Sequence, residues 1–118
     1  MPALPPSQLS DLGAAWYAVA MADLAYVKLS DAEVAARLKN LAGWGIENGK
    51  IAKLFRFKTY KDGVVFASAI GFVADNLNHH PDILIGYGKV SVSVHTHDVG
   101  GLSPYDFELA RRIDAITQ

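Results

Sequence analysis

Histidine is the residue type in this chain whose number and spacing suggest chemistry. All four histidines, His79, His80, His95 and His97, lie between positions 75 and 106 of the 118 residues. The unperturbed pKa of histidine is near neutrality, which suits proton transfer. A neutral imidazole can accept a proton while a charged one donates, which is the pairing needed for elimination of water or for tautomerisation. We predict a site of three or four imidazoles where the fold brings these segments together.

Two alternatives to proton chemistry remain open at this point. His95-x-His97 together with a third histidine resembles a catalytic zinc shell of three protein ligands and one open position. No H-E-x-x-H motif supports a metal. The cluster could also be structural. The residues favour proton chemistry over either alternative.

Asp75 precedes His79 by four positions. If the helix predicted here continues to His79, both side chains share one helical face, and the carboxylate can hold the imidazole in one tautomer. The alternative is a solvated helix end with an ordinary cap at Asn78-His79.

The elements that must position these side chains are well marked in the first half of the chain. Ser30 and Glu33 form a capping box at the start of a first helix. Asn48-Gly49 predicts a type I′ hairpin turn between strands at 44–47 and 50–57.

A second helix is predicted from position 59 or 60 to about 78. Pro81 disfavours helical geometry at His80 and ends the helix there. The helix carries two apolar stripes, and a surface this wide exceeds what one sheet face needs. The first stripe is predicted to face the sheet and consists of Phe66, Ile70, Val73 and Leu77. The second stripe is predicted to form a subunit contact and consists of Val65, Ala69 and Phe72.

The second half of the chain predicts strands at 83–85 and 89–97, joined by a bend. In the longer strand apolar side chains alternate with polar ones, so that His95 and His97 share the face away from the core. Ser103 caps a last helix, and Pro104 occupies its first position.

The element order is therefore α-β-β-α-β-β-α. It predicts an α+β fold, a four-stranded antiparallel sheet with helices on one face. We divide the chain into an N-terminal extension at 1–28, helical from about position 8, and a domain at 29–118.

Composition excludes several classes of function. The net charge of −1 leaves no electrostatic footprint for nucleic acid or an anionic membrane. The absence of cysteine excludes disulfides and thiolate metal sites. The apolar segment 12–27 has no preceding Lys or Arg and is short for a bilayer span. We expect a soluble, cytoplasmic protein without a membrane partner.

One spacing pattern is specific to a known family. Asp75 is followed after three residues by His79-His80-Pro81, then by Tyr87, His97 and Asp106. This pattern resembles that of the pterin-4a-carbinolamine dehydratases. The resemblance covers roughly residues 29–117, and the α-β-β-α-β-β-α order agrees with the family's fold.

The resemblance implies dehydration of 4a-hydroxytetrahydropterin to quinonoid dihydropterin, in recycling of the pterin cofactor of aromatic amino acid hydroxylases. It implies no metal and no cofactor, a pterin as the small-molecule partner, and a homodimer or homotetramer. It also implies the site residues. The catalytic ones would be His79, His80 and His97, and those that bind or orient the substrate Asp75, Trp44 and Pro81.

The chain departs from the pattern in places. Asp75 stands where Glu is common, and His95 is outside the pattern. Asp106 matches it, but its place in the first turn of a helix suggests capping rather than chemistry. Some relatives act instead as a dimerisation cofactor or in carboxylase assembly. A non-catalytic binding or assembly role is therefore the alternative function, and retention of all three pattern histidines favours the enzyme.

Overall fold

The computed structural model describes residues 24–117 of the chain. Within that range the order is α-β-β-α-β-β-α, as predicted, with one added turn of 3-10 helix before the last helix. The helices are α1 (Asp31–Leu38), α2 (Tyr60–Leu77) and α3 (Pro104–Ile116). The strands are β1 (Gly45–Glu47), β2 (Lys50–Arg56), β3 (Asp82–Gly86) and β4 (Lys89–Val94), and the 3-10 turn is His97–Val99.

The strands form one antiparallel sheet in the order β1-β2-β4-β3. Its inner face is apolar because alternate residues of β2 and β4 point the same way, and Ile51 is paired with Val94 in register. These side chains are buried together with Ile70 of α2 and Leu109 of α3. The predicted α+β class is confirmed.

Local sequence rules account for the hairpin and the start of α2. Asn48 and Gly49 have φ angles of 53° and 78°, the positive values that a type I′ turn requires. The Thr59 side chain accepts a hydrogen bond of 3.1 Å from the Asp62 N–H and caps α2.

The two apolar stripes of α2 have different environments. Phe66, Ile70 and Leu77 of the first stripe are buried in the core. In the second stripe Val65 is 61% exposed and Phe72 is 75% exposed. Neither the sheet nor another described segment covers the second stripe.

The predicted N-terminal helix does not reach the end of the extension. Its residues up to 23 lie outside the described range, and residues 24–27 are not helical. This segment lies along the domain, because the Leu29 N–H donates a 2.8 Å hydrogen bond to the Leu102 carbonyl. No helix in the described part of the chain is long and apolar enough to cross a membrane.

The last strand is shorter than predicted. β4 ends at Val94, and Thr96 instead pairs with Gly101 across a tight loop. Gly100 has a φ of 68°, which glycine adopts without steric cost and which lets the chain fold back. His97 therefore begins the 3-10 turn and does not continue the strand face on which His95 lies.

Candidate active site

The end of α2 and the end of β4 meet at one cavity of about 330 Å³. All four histidines line it, as the sequence predicted. The full lining consists of Tyr26, Asn78, His79, His80, His95, Thr96, His97 and Asp98.

The end of α2 sets the direction of His79. Asn78 adopts the left-handed conformation with a φ of 54°, and the His79 N–H donates a 3.1 Å hydrogen bond to the Ala74 carbonyl. The left-handed residue and this hydrogen bond end the helix and turn the chain away from its axis. The His79 side chain consequently points inward and is only 7% exposed.

Asp106 holds the buried imidazole. Its Oδ1 lies 2.6 Å from Nε2 of His79, and its Oδ2 accepts hydrogen bonds from the Thr96 hydroxyl at 2.8 Å and the Ser103 N–H at 2.9 Å. The Ser103 hydroxyl lies 2.6 Å from that of Thr96 and donates to it, since Thr96 gives its proton to the carboxylate. Asp106 is fully buried. Through these hydrogen bonds it both caps α3 and orients His79.

This contact fixes the tautomer of His79. A carboxylate can only accept, so the proton of a neutral imidazole is on Nε2. Nδ1 is then the nitrogen left with a lone pair.

Asp75 pairs with His80, whereas the sequence interpretation paired it with His79. Its Oδ1 accepts a 2.9 Å hydrogen bond from Nε2 of His80. The predicted i, i+4 pair is absent because α2 ends before His79, whose ring turns away from the helical face. The Asp75 and His80 side chains are 78% and 59% exposed, so water screens the pair.

The other two histidines come from the end of β4 and the 3-10 turn. His95 is half-buried and His97 is exposed. Their rings stand edge to face with centroids 6.3 Å apart. The cavity thus holds one anchored imidazole, one exposed imidazole on a carboxylate, and the two adjacent imidazoles of His95 and His97.

Trp44 and Pro81 do not line this cavity. The Trp44 indole is buried, donates to both oxygens of Asp114 at 3.1 Å, and packs edge-on against Phe55. Pro81 lines a second, mainly apolar cavity of about 340 Å³ that also has Asp75 and His80 in its wall. His80 therefore stands between the two cavities.

Tyr26 is a site residue that the sequence interpretation missed, because it assigned this position to the extension. Its ring stacks on Tyr105 with centroids 4.2 Å apart and an interplanar angle of 12°. Burial raises the pKa of Tyr26, and so do the nearby Tyr105 and Asp98. No sequence motif marks Tyr26. Thr96, another lining residue that was not named as a site residue, carries a weak signal, because strand alternation places it on the buried face.

No three His, Asp or Glu side chains within residues 24–117 are arranged to hold a metal ion. The four imidazoles share a cavity but do not converge on one point. The arrangement of the described residues fits proton transfer between a bound molecule and separate imidazoles.

Comparisons with known proteins agree on one family. A sequence profile described as pterin 4 alpha carbinolamine dehydratase matches residues 27–116. A protein of Sulfolobus acidocaldarius is 40% identical over 90 residues, covering 76% of this chain and 99% of its own length. One of Roseiflexus sp. is 43% identical over 89 residues, covering 75% and 96%. Both bear the name "Putative pterin-4-alpha-carbinolamine dehydratase".

Solved structures show the same fold. A crystal structure described as a transcriptional coactivator/pterin dehydratase from Brucella melitensis matches with a TM-score of 0.72 and 30% identity, over 77% of this chain and 99% of that one. A pterin dehydratase-like RuBisCO assembly factor of the alpha-carboxysome matches with a TM-score of 0.51 and 22% identity, over 62% and 84%, which shows the fold alone. By sequence and by fold, the chain belongs to the pterin-4a-carbinolamine dehydratase family.

Proposed function

We propose that this protein dehydrates 4a-hydroxytetrahydropterin to quinonoid dihydropterin by histidine acid/base catalysis. The observation that carries the proposal is the cavity lined by all four imidazoles, in a chain of the dehydratase family. Its volume of about 330 Å³ lies within the range of cavities that bind small molecules.

The reaction needs one acid and one base. An imidazolium protonates the 4a-hydroxyl as the bond from C4a to oxygen breaks, and water leaves. A neutral imidazole takes the proton from N5, whose electrons form the double bond to C4a. One proton is given and one is taken, so the enzyme returns to its starting charge.

We assign these tasks to His79, His80 and His97. Asp106 holds the His79 ring in a fixed orientation and leaves Nδ1 for the substrate. His80 and His97 are the exposed imidazoles, which can reach a ligand entering from solvent. Two of the three act as acid and base, and the third orients the pterin, with Asp75 steadying His80.

The setting of the reaction is part of the proposal. We place it in the cytoplasm, in the recycling of a tetrahydropterin cofactor, and in a homo-oligomer. The exposed second stripe of α2 supports self-association, because large exposed apolar patches mark interaction surfaces. The chemistry itself needs no metal and no cofactor.

The test is a spectroscopic dehydration assay on synthetic 4a-hydroxytetrahydropterin, with wild-type protein and with His97→Gln. His97 is exposed, so the variant should fold normally. We expect its turnover to fall by roughly 10² to 10⁴, the usual contribution of a positioned acid or base. Wild-type protein that does not exceed the uncatalysed rate, or His97→Gln with unchanged turnover, would contradict the proposal.

The alternative is a non-catalytic binding or assembly role. The observation in its favour is the second stripe of α2, in which Val65 and Phe72 are exposed to solvent and Ala69 is half-buried. The same assay decides between them, because a pure binding protein leaves the dehydration rate at the uncatalysed level.

A further inference from the structure

Tyr26 is a cavity residue to which neither the family pattern nor the proposed acid/base chemistry gives a role. It lies in the extended segment before α1, whose course is fixed by the hydrogen bond between the Leu29 N–H and the Leu102 carbonyl. Its ring forms part of the same wall as His79. It is 50% exposed, so its outer half remains free to touch a bound molecule.

Ring contacts fix the position of Tyr26. The rings of Tyr26, Tyr105 and His79 form a triangle, in which Tyr105 stacks on Tyr26 at 4.2 Å and is tilted against His79 at 5.6 Å. Tyr26 itself is 6.4 Å from the His79 ring. Because Tyr105 precedes Asp106 in α3, one helix end orients both His79 and Tyr26.

The hydroxyl of Tyr26 stays protonated at neutral pH. Burial raises its pKa, and the neighbouring Tyr105 and Asp98 raise it further. A hydrogen bond with the Tyr105 side chain contributes to this shift and leaves one hydrogen-bonding position of the Tyr26 hydroxyl for a ligand. A neutral phenol can donate one hydrogen bond and accept another, whereas a phenolate can only accept. Pterins present ring nitrogens and a carbonyl oxygen that suit such a donor.

We propose that Tyr26 is a substrate-binding residue whose hydroxyl and ring edge hold the pterin against the histidine wall. This inference rests on the proposed function, since it takes a pterin as the ligand. Tyr26 moves no proton in the reaction, and its contact is made equally in the ground state and in the transition state. Its loss should therefore raise KM and leave kcat unchanged.

Two variants separate the hydroxyl from the ring. Tyr26→Phe keeps the stack on Tyr105 and loses one neutral hydrogen bond, so we expect affinity to fall roughly 2- to 10-fold. Tyr26→Leu loses the aromatic surface as well, and we expect its affinity to fall roughly 10- to 100-fold. Tyr60 supplies the matched control: it is 52% exposed, begins α2 and is outside the cavity lining. Tyr60→Phe and Tyr60→Leu should leave affinity unchanged.

The experiment measures binding of 7,8-dihydropterin by fluorescence titration, alongside KM and kcat in the dehydration assay. The probe lacks the leaving hydroxyl and cannot react, so binding is measured apart from catalysis. Thermal unfolding of each variant shows whether the fold is intact. A purely structural Tyr26 would change the unfolding temperature and not the split between KM and kcat.

The outcomes are distinct. Weakened binding in both Tyr26 variants, with Tyr60 variants unchanged, supports the inference, and it does so even if wild-type protein proves not to dehydrate its substrate and the proposed function fails. Wild-type affinity in both Tyr26 variants overturns the inference and leaves the dehydratase proposal standing. Wild-type protein that binds no 7,8-dihydropterin also overturns it.

Discussion

Asp106 accepts the Nε2–H of His79 at 2.6 Å while the same carboxylate caps the helix on which it lies. The two functions are inseparable in this fold, because His79 donates to Oδ1 of the buried carboxylate while Thr96 and Ser103 donate to Oδ2. The capping role was predicted from sequence. The contact with His79 adds a positioning role that a first-turn aspartate does not reveal.

We predict that Asp106→Asn lowers both stability and turnover. An amide has one acceptor oxygen for three donors, so at least one buried donor loses its partner, and the free energy of unfolding should fall by about 1–3 kcal/mol. The amide N–H₂ is itself a donor, so it disfavours the His79 tautomer that carries its proton on Nε2. We therefore expect kcat to fall at least roughly tenfold. Urea unfolding and the dehydration assay measure the two effects. Glu108→Gln, the same change elsewhere on α3, is the control for kcat, and an Asp106→Asn enzyme with wild-type kcat would refute the positioning role.

Asp75 should matter less than the histidine it contacts. Both side chains are largely exposed, and an exposed pair contributes at most about 1 kcal/mol. We predict that Asp75→Asn lowers the dehydration rate less than about tenfold, whereas His80→Gln lowers it by roughly 10² to 10⁴. Asp31→Asn, on the exposed face of α1, controls for a general loss of charge. Equal losses in the Asp75 and His80 variants would show that the carboxylate does more than steady the ring.

The features predicted correctly from sequence are those that local rules decide. Asn48-Gly49 fixes its turn through the φ angles the turn requires, and the spacing of apolar residues in α2 fixes which side faces the sheet. The alternation of the segment at 89–97 also puts Thr96 on the side opposite His95 and His97, toward the core, and Thr96 is 3% exposed. Each depends on neighbours within a few positions.

The missed features are non-local. His79 and Asp106 are 27 positions apart, and their contact depends on how α2 ends and where α3 begins. The end of α2 at Leu77, followed by left-handed Asn78, turns His79 away from Asp75, which instead meets His80. Tyr26 lies at the cavity with its ring stacked on Tyr105, 79 positions away in the sequence. No spacing rule predicts such contacts without the packed fold.

Dehydration should be independent of metal. Activity is expected to survive exhaustive treatment with a chelator, because imidazoles alone supply the acid and the base. Elemental analysis of purified protein should show far less than one equivalent of zinc. Stoichiometric zinc lost together with activity, with metal binding abolished in His95→Gln and His97→Gln, would favour the alternative zinc site.

Glu108 should make stability depend on acid pH. Burial raises the pKa of this carboxyl, but hydrogen bonds from Arg111 and Arg112 at 2.7–2.8 Å outweigh it and hold the pKa below its ordinary value. A lowered pKa in the folded state stabilises the protein above the unfolded-state value of about 4.3, and this contribution is lost as pH falls through the folded pKa. Glu108→Gln should therefore be less stable than wild type in urea at pH 7, and the difference should shrink at about pH 3.5. A difference that grows at low pH would contradict this sign.

The second stripe of α2 is expected to lie at a subunit interface. Phe72 is 75% exposed and Val65 61%, and covering them would contribute a few kcal/mol per subunit at about 25 cal/mol per Å². We predict a dimer or tetramer by light scattering, and Phe72→Glu should shift it to a smaller species. Tyr87→Glu is the control, since Tyr87 is 81% exposed in the turn between β3 and β4.

The N-terminal segment could instead cover this stripe within one chain, which a protein beginning at Leu24 tests. A full-length monomer that self-associates only after this truncation would show that the segment, rather than a second subunit, covers α2.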